Sequence, residues 1–171
     1  MRTGVSRVMK VAAGVQLICL DVDGVLTDGG IFYVGAPWPS EVALRFDTRD
    51  AHGHQLLAEA RIAVSWVSGN DWRCVRDRAR KLGVATPLLR LGVSDKSVAV
   101  RAVAGLCEID LAAVAYVGND VNDLPAMALV GLPIAVADAD WEVRARAAYV
   151  TVAKGGHGAA REVADLILAA K

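Results

Sequence analysis

The 171-residue chain predicts an α/β fold: a mostly parallel sheet with helices on both faces. Three observations carry that expectation. Short apolar runs of strand length alternate with longer stretches of helical period. Polar clusters follow several of these runs, where parallel sheets place their ligand sites. No run approaches the ~20 unbroken apolar residues of a membrane span, although 54% of the residues are hydrophobic.

Met1 to Ala13 carries Arg2, Arg7 and Lys10 without an apolar core between them, so residues 1–14 read as a frayed N-terminal extension and not a signal peptide. Residues 15–171 form a single domain. Leu17 to Val22 is the first strand. Gly30 to Val34 and Glu41 to Phe46 are aromatic and β-branched runs around Gly35-Ala36-Pro37-Trp38-Pro39-Ser40, which predicts a β-hairpin directly after that strand. Its apolar side chains need cover from a substrate or a second subunit. Ala51 to Arg61 is a helix, Ile62 to Val67 a strand and Trp72 to Leu82 an Arg-rich amphipathic helix. Pro87 to Leu91 is a short strand, Lys96 to Leu106 a helix, Ala113 to Val117 a strand and Leu124 to Leu129 a helix. Ile134 to Val136 is a strand, Trp141 to Ala147 a short helix, Tyr149 to Val152 a strand and Ala159 to Leu168 the last helix. The series is βαβα throughout, a Rossmann-like three-layer arrangement.

Lys+Arg and Asp+Glu number 19 each, so the net charge is zero. No basic surplus points to nucleic acid, and no segment points to a membrane. Zero net charge gives a monomer little colloidal repulsion and favours an oligomer. The three cysteines, Cys19, Cys74 and Cys107, lie far apart without a CxxC pattern. They read as buried free thiols of a cytoplasmic protein.

The chemistry concentrates in four clusters. Asp21-Val22-Asp23-Gly24 closes the first strand and Ser68-Gly69-Asn70 follows the strand 62–67. Lys96 opens a helix after Ser94-Asp95, and Gly118-Asn119-Asp120-Val121-Asn122-Asp123 follows the strand 113–117. Carboxylates at the end of a buried strand are costly unless a cation neutralises them. A hard divalent cation with oxygen ligands suits the set: Mg²⁺ keeps several waters, so Asp21, Asp120 and a backbone carbonyl suffice to hold it. A carboxylate can then attack phosphorus, since the cation offsets the repulsion of a phosphate dianion. The Ser68 hydroxyl and neighbouring amide can donate to phosphate oxygens, and Lys96 supplies positive charge where the transition state spreads negative charge. Asp23 can protonate the leaving alkoxide and then activate water.

These words resemble those of the haloacid dehalogenase superfamily of aspartate-nucleophile phosphatases. Asp21-Val22-Asp23-Gly24-Val25 matches its first motif, Ser68 the second, Lys96 the third and residues 118–123 the fourth. The resemblance implies Asp21 as nucleophile and Asp23 as general acid and base. It implies Mg²⁺ on Asp21, the Asp23 main-chain carbonyl and Asp120, with Asp123 orienting Lys96 or a metal-bound water. Within the superfamily the chain is similar to the capless 3-deoxy-D-manno-octulosonate 8-phosphate phosphatase branch and its nonulosonate 9-phosphate relatives. Phe46-Asp47-Thr48-Arg49-Asp50, Tyr116 to Pro125, Val130 to Ala139 and Gly155-Gly156-His157-Gly158-Ala159 carry that likeness. It implies no cap domain, a homotetramer built through the hairpin, and an active site closed by a neighbouring subunit.

Two departures bear on substrate. Ser68-Gly69-Asn70 stands where the branch usually has Thr-Gly-Arg, and Gly155-Gly156-His157-Gly158 where it usually has Gly-Gly-Arg-Gly. Each removes a guanidinium able to grip a carboxylate in a fork. The substrate is therefore an eight- or nine-carbon acidic sugar phosphate or a sugar phosphate without the carboxylate. Gly69, Asn70, Asn119, Asp123, Arg49, His52 and His157 are the supporting and substrate-contact candidates. Plainer readings stand beside them. Asp123 can cap the next helix, Ser68, Asn119 and Asn122 can be turn formers, and both histidines can be surface residues. Gly155-Gly156 reads as backbone punctuation, Arg73, Arg76, Arg78, Arg80 and Lys81 as a solvated helix face, and the four tryptophans as core or interface. A non-catalytic oligomerisation domain of a sugar-nucleotide pathway and a phosphorelay receiver are the competing functions. The Asp21-x-Asp23 spacing on one strand argues against the receiver, and the presence of all four clusters against the assembly domain.

Overall fold

The computed structural model describes residues 2–35 and 41–171. Six strands form one sheet: β1 (Leu17–Asp21), β4 (Ala63–Val67), β5 (Leu89–Arg90), β6 (Val114–Gly118), β7 (Leu132–Ala135) and β8 (Tyr149–Val150). Their spatial order is β5-β4-β1-β6-β7-β8, and every neighbouring pair is parallel. Strands β2 (Phe32–Val34) and β3 (Glu41–Ala43) form a separate antiparallel pair.

All five residues of β1 are buried, as a central strand packed on both faces requires. Its register sets Asp21 opposite Val67 of β4 and Leu20 opposite Val117 of β6. The chain therefore leaves all three strands at one level, and Asp21, Ser68 and Asn119 emerge along the same edge. The helices α1 (Arg2–Ala13) and α2 (Thr48–Glu59) both pack on α7 (Ala159–Ala170). The helices α4 (Lys96–Leu106) and α5 (Leu124–Met127) form a second group, in contact with β4, β6 and β7. Helices α3 (Arg73–Lys81) and α6 (Trp141–Arg146) complete the set.

Several expectations need correction. The N-terminal segment is not frayed. It is helical, and Val8, Val11 and Ala12, spaced to share one helix face, pack on the core. The basic residues between them obscure that stripe. The strand expected over 87–91 pairs only at Leu89–Arg90, because Thr86–Leu88 winds into a 3₁₀ turn with Pro at its start. The hairpin strands are shorter than expected, and its turn, with Trp38, lies outside the described residues. Trp66 is a core residue but Trp141 is 68% exposed. Of the three thiols only Cys19 is fully buried. No described helix is long and apolar enough to cross a membrane.

Candidate active site

The turn that follows β1 is knit by Thr27, itself fully buried. Its hydroxyl accepts from the Gly24 N–H at 3.2 Å and donates to the Val22 carbonyl at 3.2 Å. Gly24 takes φ +84°, and a Cβ there would meet the Asn119 amide at 2.2 Å, so glycine is needed for both reasons. The glycine-rich loop 155–158 seats on this turn. A Cβ at Gly155 would lie 1.8 Å from the Gly24 carbonyl oxygen, and the Gly156 N–H donates to the Val25 carbonyl at 2.9 Å.

Behind the turn lies a buried charge cluster. Lys96 Nζ contacts Asp21 Oδ1 at 2.9 Å and donates to Asp123 Oδ1 at 2.7 Å. Lys96 reaches this point because α4 starts at that residue, with Asp95 capping the Ser97 N–H. Asp123 Oδ1 also accepts from the Tyr116 hydroxyl at 2.7 Å. Asp123 Oδ2 accepts from the Asn119 and Asp120 N–H groups at 2.8 and 3.1 Å. Asp123 is therefore a strut for Lys96 and for the loop after β6, not only a helix cap. Burial would lower the Lys96 pKa, but Asp21 and Asp123 outweigh it and hold it above the usual lysine value. Burial, and next the facing Asp123 carboxylate, push the Asp21 carboxyl well above its ordinary range despite Lys96.

Asp23 stands beside this cluster with its own partners. Asp23 Oδ2 accepts from Ser68 Oγ at 2.9 Å and from Asn70 Nδ2 at 3.1 Å, and Ser68 Oγ accepts from the Asn70 N–H at 3.0 Å. The cleft above has a volume of about 340 Å³, with Gly69, Asn70, Asp120 and Asn122 around its mouth and Asp21, Asp23, Lys96 and Asn119 lining it too.

A cation corner is legible between the acids. The Asn119 amide atom nearest them stands 2.9 Å from Asp21 Oδ2 and 3.1 Å from the Asp23 carbonyl oxygen. As nitrogen it donates to both acceptors. As oxygen it joins them in a set of three oxygens, and those two spacings match the ~3.0 Å edge of an octahedron with metal–oxygen distances near 2.1 Å. Among the described residues no three His, Cys, Asp or Glu side chains form a metal cage. This corner instead combines one carboxylate, one main-chain carbonyl and one amide, all hard donors of the kind Mg²⁺ takes. A cation there also relieves the charge that burial makes costly on Asp21. Asp120 is exposed at the rim, and its carboxylate accepts from the Val121 N–H at 2.7 Å. Asn119, expected as a supporting residue, reaches both acids.

The outlying candidates divide. Arg49 is engaged: it donates to Asp47 from Nε at 3.1 Å and Nη2 at 2.9 Å, and to the His157 carbonyl at 2.7 Å. That guanidinium holds the Asp47 carboxyl down to about 2. His157 turns Nδ1 to the Gly155 carbonyl at 2.7 Å. His52 is exposed on α2 and does not line the cleft. Sequence reasoning assigned no role to Thr27 or Tyr116. A hydroxyl among apolar strand residues was the available signal for Tyr116.

The family model of haloacid dehalogenase-like hydrolases matches residues 89–163. The 3-deoxy-D-manno-octulosonate 8-phosphate phosphatase KdsC of Yersinia pestis is 42% identical over 164 residues, covering 96% of this chain and 85% of its own. The chain belongs to that phosphatase family. It is accordingly a phosphoric monoester hydrolase. A crystal structure of the Yersinia pestis phosphatase superposes with a TM-score of 0.91 at 41% identity, over 96% of this chain and 86% of that one. A Moraxella catarrhalis phosphatase of the family, solved in complex with magnesium, phosphate and KDO, gives a TM-score of 0.90 at 33% identity, over 96% and 91% of the two chains. The parallel sheet flanked by helices is the fold shared with these structures.

Proposed function

We propose that this chain hydrolyses 3-deoxy-D-manno-octulosonate 8-phosphate, or a close eight- or nine-carbon relative, through a phosphoaspartate on Asp21. The observation that carries the reading is the buried Asp21, held by Lys96 at 2.9 Å and facing the Asp23 carbonyl and Asn119 across one corner. Asp21, the Asp23 carbonyl and the Asn119 amide oxygen would hold Mg²⁺, with Asp120 at the rim. The bound cation offsets negative charge on nucleophile and phosphate.

The residues then divide the work. A carboxylate oxygen of Asp21 attacks phosphorus as the P–O ester bond breaks. Asp23 gives its proton to the departing sugar oxygen. Lys96 and the Gly69 N–H balance the charge on the non-bridging oxygens. Water next attacks phosphorus, Asp23 takes its proton, the P–O bond to Asp21 breaks, and inorganic phosphate leaves. Lys96 has no freedom to wander, because Asp123 holds it from the other side.

Four consecutive exposed apolar residues, Ile31 to Val34, support assembly through the hairpin into a homotetramer. Free thiols support a cytoplasmic setting. A neutral sugar phosphate is the second reading. It is favoured by the cleft lining, where Asn70 is present and no described guanidinium occurs. Phosphate release from octulosonate 8-phosphate, a nonulosonate 9-phosphate and a neutral hexose phosphate, each with Mg²⁺, tests both. The octulosonate ester is expected to turn over best, and Asp21→Asn to fall by at least ~10³-fold. Preference for the hexose phosphate would select the second reading. Equal release by wild type and Asp21→Asn would reject both.

A further inference from the structure

We propose that Asn70 is a positioning residue for the proton donor. Its side-chain amide and the Ser68 hydroxyl clamp one oxygen of Asp23 and leave the other to carry the proton to the leaving group. The inference rests on the phosphatase reading above and assigns a role within it.

A carboxyl group that protonates a leaving oxygen must keep one oxygen unencumbered and its plane fixed. Both donors near Asp23 converge on Oδ2, Ser68 Oγ at 2.9 Å and Asn70 Nδ2 at 3.1 Å. No described donor reaches Oδ1. Two donors on one oxygen fix the plane of the carboxyl group and leave the other oxygen open to the cleft. The clamp is itself braced. The Asn70 N–H donates to Ser68 Oγ at 3.0 Å, which orients the hydroxyl. The backbone beneath is tied to the edge of the sheet. The Ser68 N–H donates to the Arg90 carbonyl at 2.8 Å, the Val93 N–H to the Ser68 carbonyl at 3.1 Å, and the Gly92 N–H to the Asn70 carbonyl at 3.1 Å.

The chemistry of the side chain matters as much as its place. An amide donates without carrying charge, so it orients Asp23 without adding a fixed cation beside it. Asn70 is exposed at the cleft mouth, which makes a plain substrate contact the rival role. The two roles separate by leaving group. A substrate contact weakens binding of a given ester regardless of how much help its departing oxygen needs. A positioning role hurts esters of poor leaving groups selectively, because only these depend on the proton.

The test compares kcat/KM for ethyl phosphate, an alkyl ester without the sugar that a substrate contact would touch, with kcat/KM for p-nitrophenyl phosphate, whose leaving group departs without a proton. This parameter spans the steps up to departure of the leaving group. In Asn70→Leu, which keeps the volume and loses the donor, the alkyl-to-aryl ratio should fall by about tenfold, a fraction of the full effect of a general acid. Asn70→Ser, too short to reach Asp23, should move the ratio in the same direction. A thermal midpoint within a few degrees of wild type confirms that the fold is retained. A ratio within twofold of wild type in both variants overturns the proposal. No release of phosphate by the wild type from these esters or from any of the three sugar phosphates overturns the phosphatase reading together with it.

Discussion

The turn after β1 and the hairpin follow one another in the sequence, yet they are built on opposite terms. In the first, every carboxylate has a partner: Asp21 has Lys96, Asp23 has Ser68 and Asn70, and Asp123 takes four donors. The second is a three-residue pair with Phe32 58% and Val34 54% exposed. Orientation of reacting groups tolerates little movement, so it is settled within one chain by buried charge-assisted bonds. The hairpin presents exposed apolar side chains. The difference separates a region held by its own buried partners from one that this chain leaves open.

Lys96→Met breaks the first side of that comparison and has the largest expected effect. It leaves Asp21 and Asp123 facing each other in the core without their cation, which should cost about 3–5 kcal/mol in urea unfolding. A loss below ~1 kcal/mol would mean that the cluster is less buried in solution. Phe32→Glu acts on the other side. Light scattering should show a smaller species, while stability of the separated chain stays within about 0.5 kcal/mol. An unchanged mass would remove the hairpin from the interface. The smallest effect belongs to Arg49→Gln, which cuts the tie between Asp47 and the loop 155–158. Arg49 depresses the Asp47 carboxyl to about 2 in the folded chain, against ~3.9 unfolded. That stability is present above the unfolded value and is lost as pH falls towards 2. The variant should therefore begin acid unfolding at a higher pH, followed by circular dichroism, and an unshifted midpoint would mean that the tie contributes nothing.

The sheet was legible because parallel strands buried on both faces must be apolar, and β1, β4 and β6 are. Their ends were legible because carboxylates and amides there have no place in a core. Less was legible where neighbours compete. Asn119 and Asp120 are adjacent on a segment leaving a strand, and adjacent residues there point to opposite sides. The sequence names the pair, but only the three-dimensional phase turns Asn119 towards the acids and Asp120 towards the Val121 N–H. Arg49 stood among the supporting and substrate-contact candidates, with no partner named for it. Its partners, Asp47 two residues back and a carbonyl 108 residues on, required the fold to bring 157 beside 49. The extension misread as frayed shows the same limit, since its apolar stripe has meaning only once α7 is there to receive it.

The seat of Gly155 on the Gly24 carbonyl also has an order in time. A ribosome delivers the turn at 24–28 first and its cover at 155–156 near the end of this sequence. Until that last stretch emerges, the Val25 carbonyl lacks its Gly156 N–H, and the Arg45 side chain lacks the Gly156 carbonyl it bonds at 2.7 Å. The growing chain thus carries the turn after β1 long before it carries the loop that seats on it. Synthesis itself delays the completed turn until residues 155–156 have emerged.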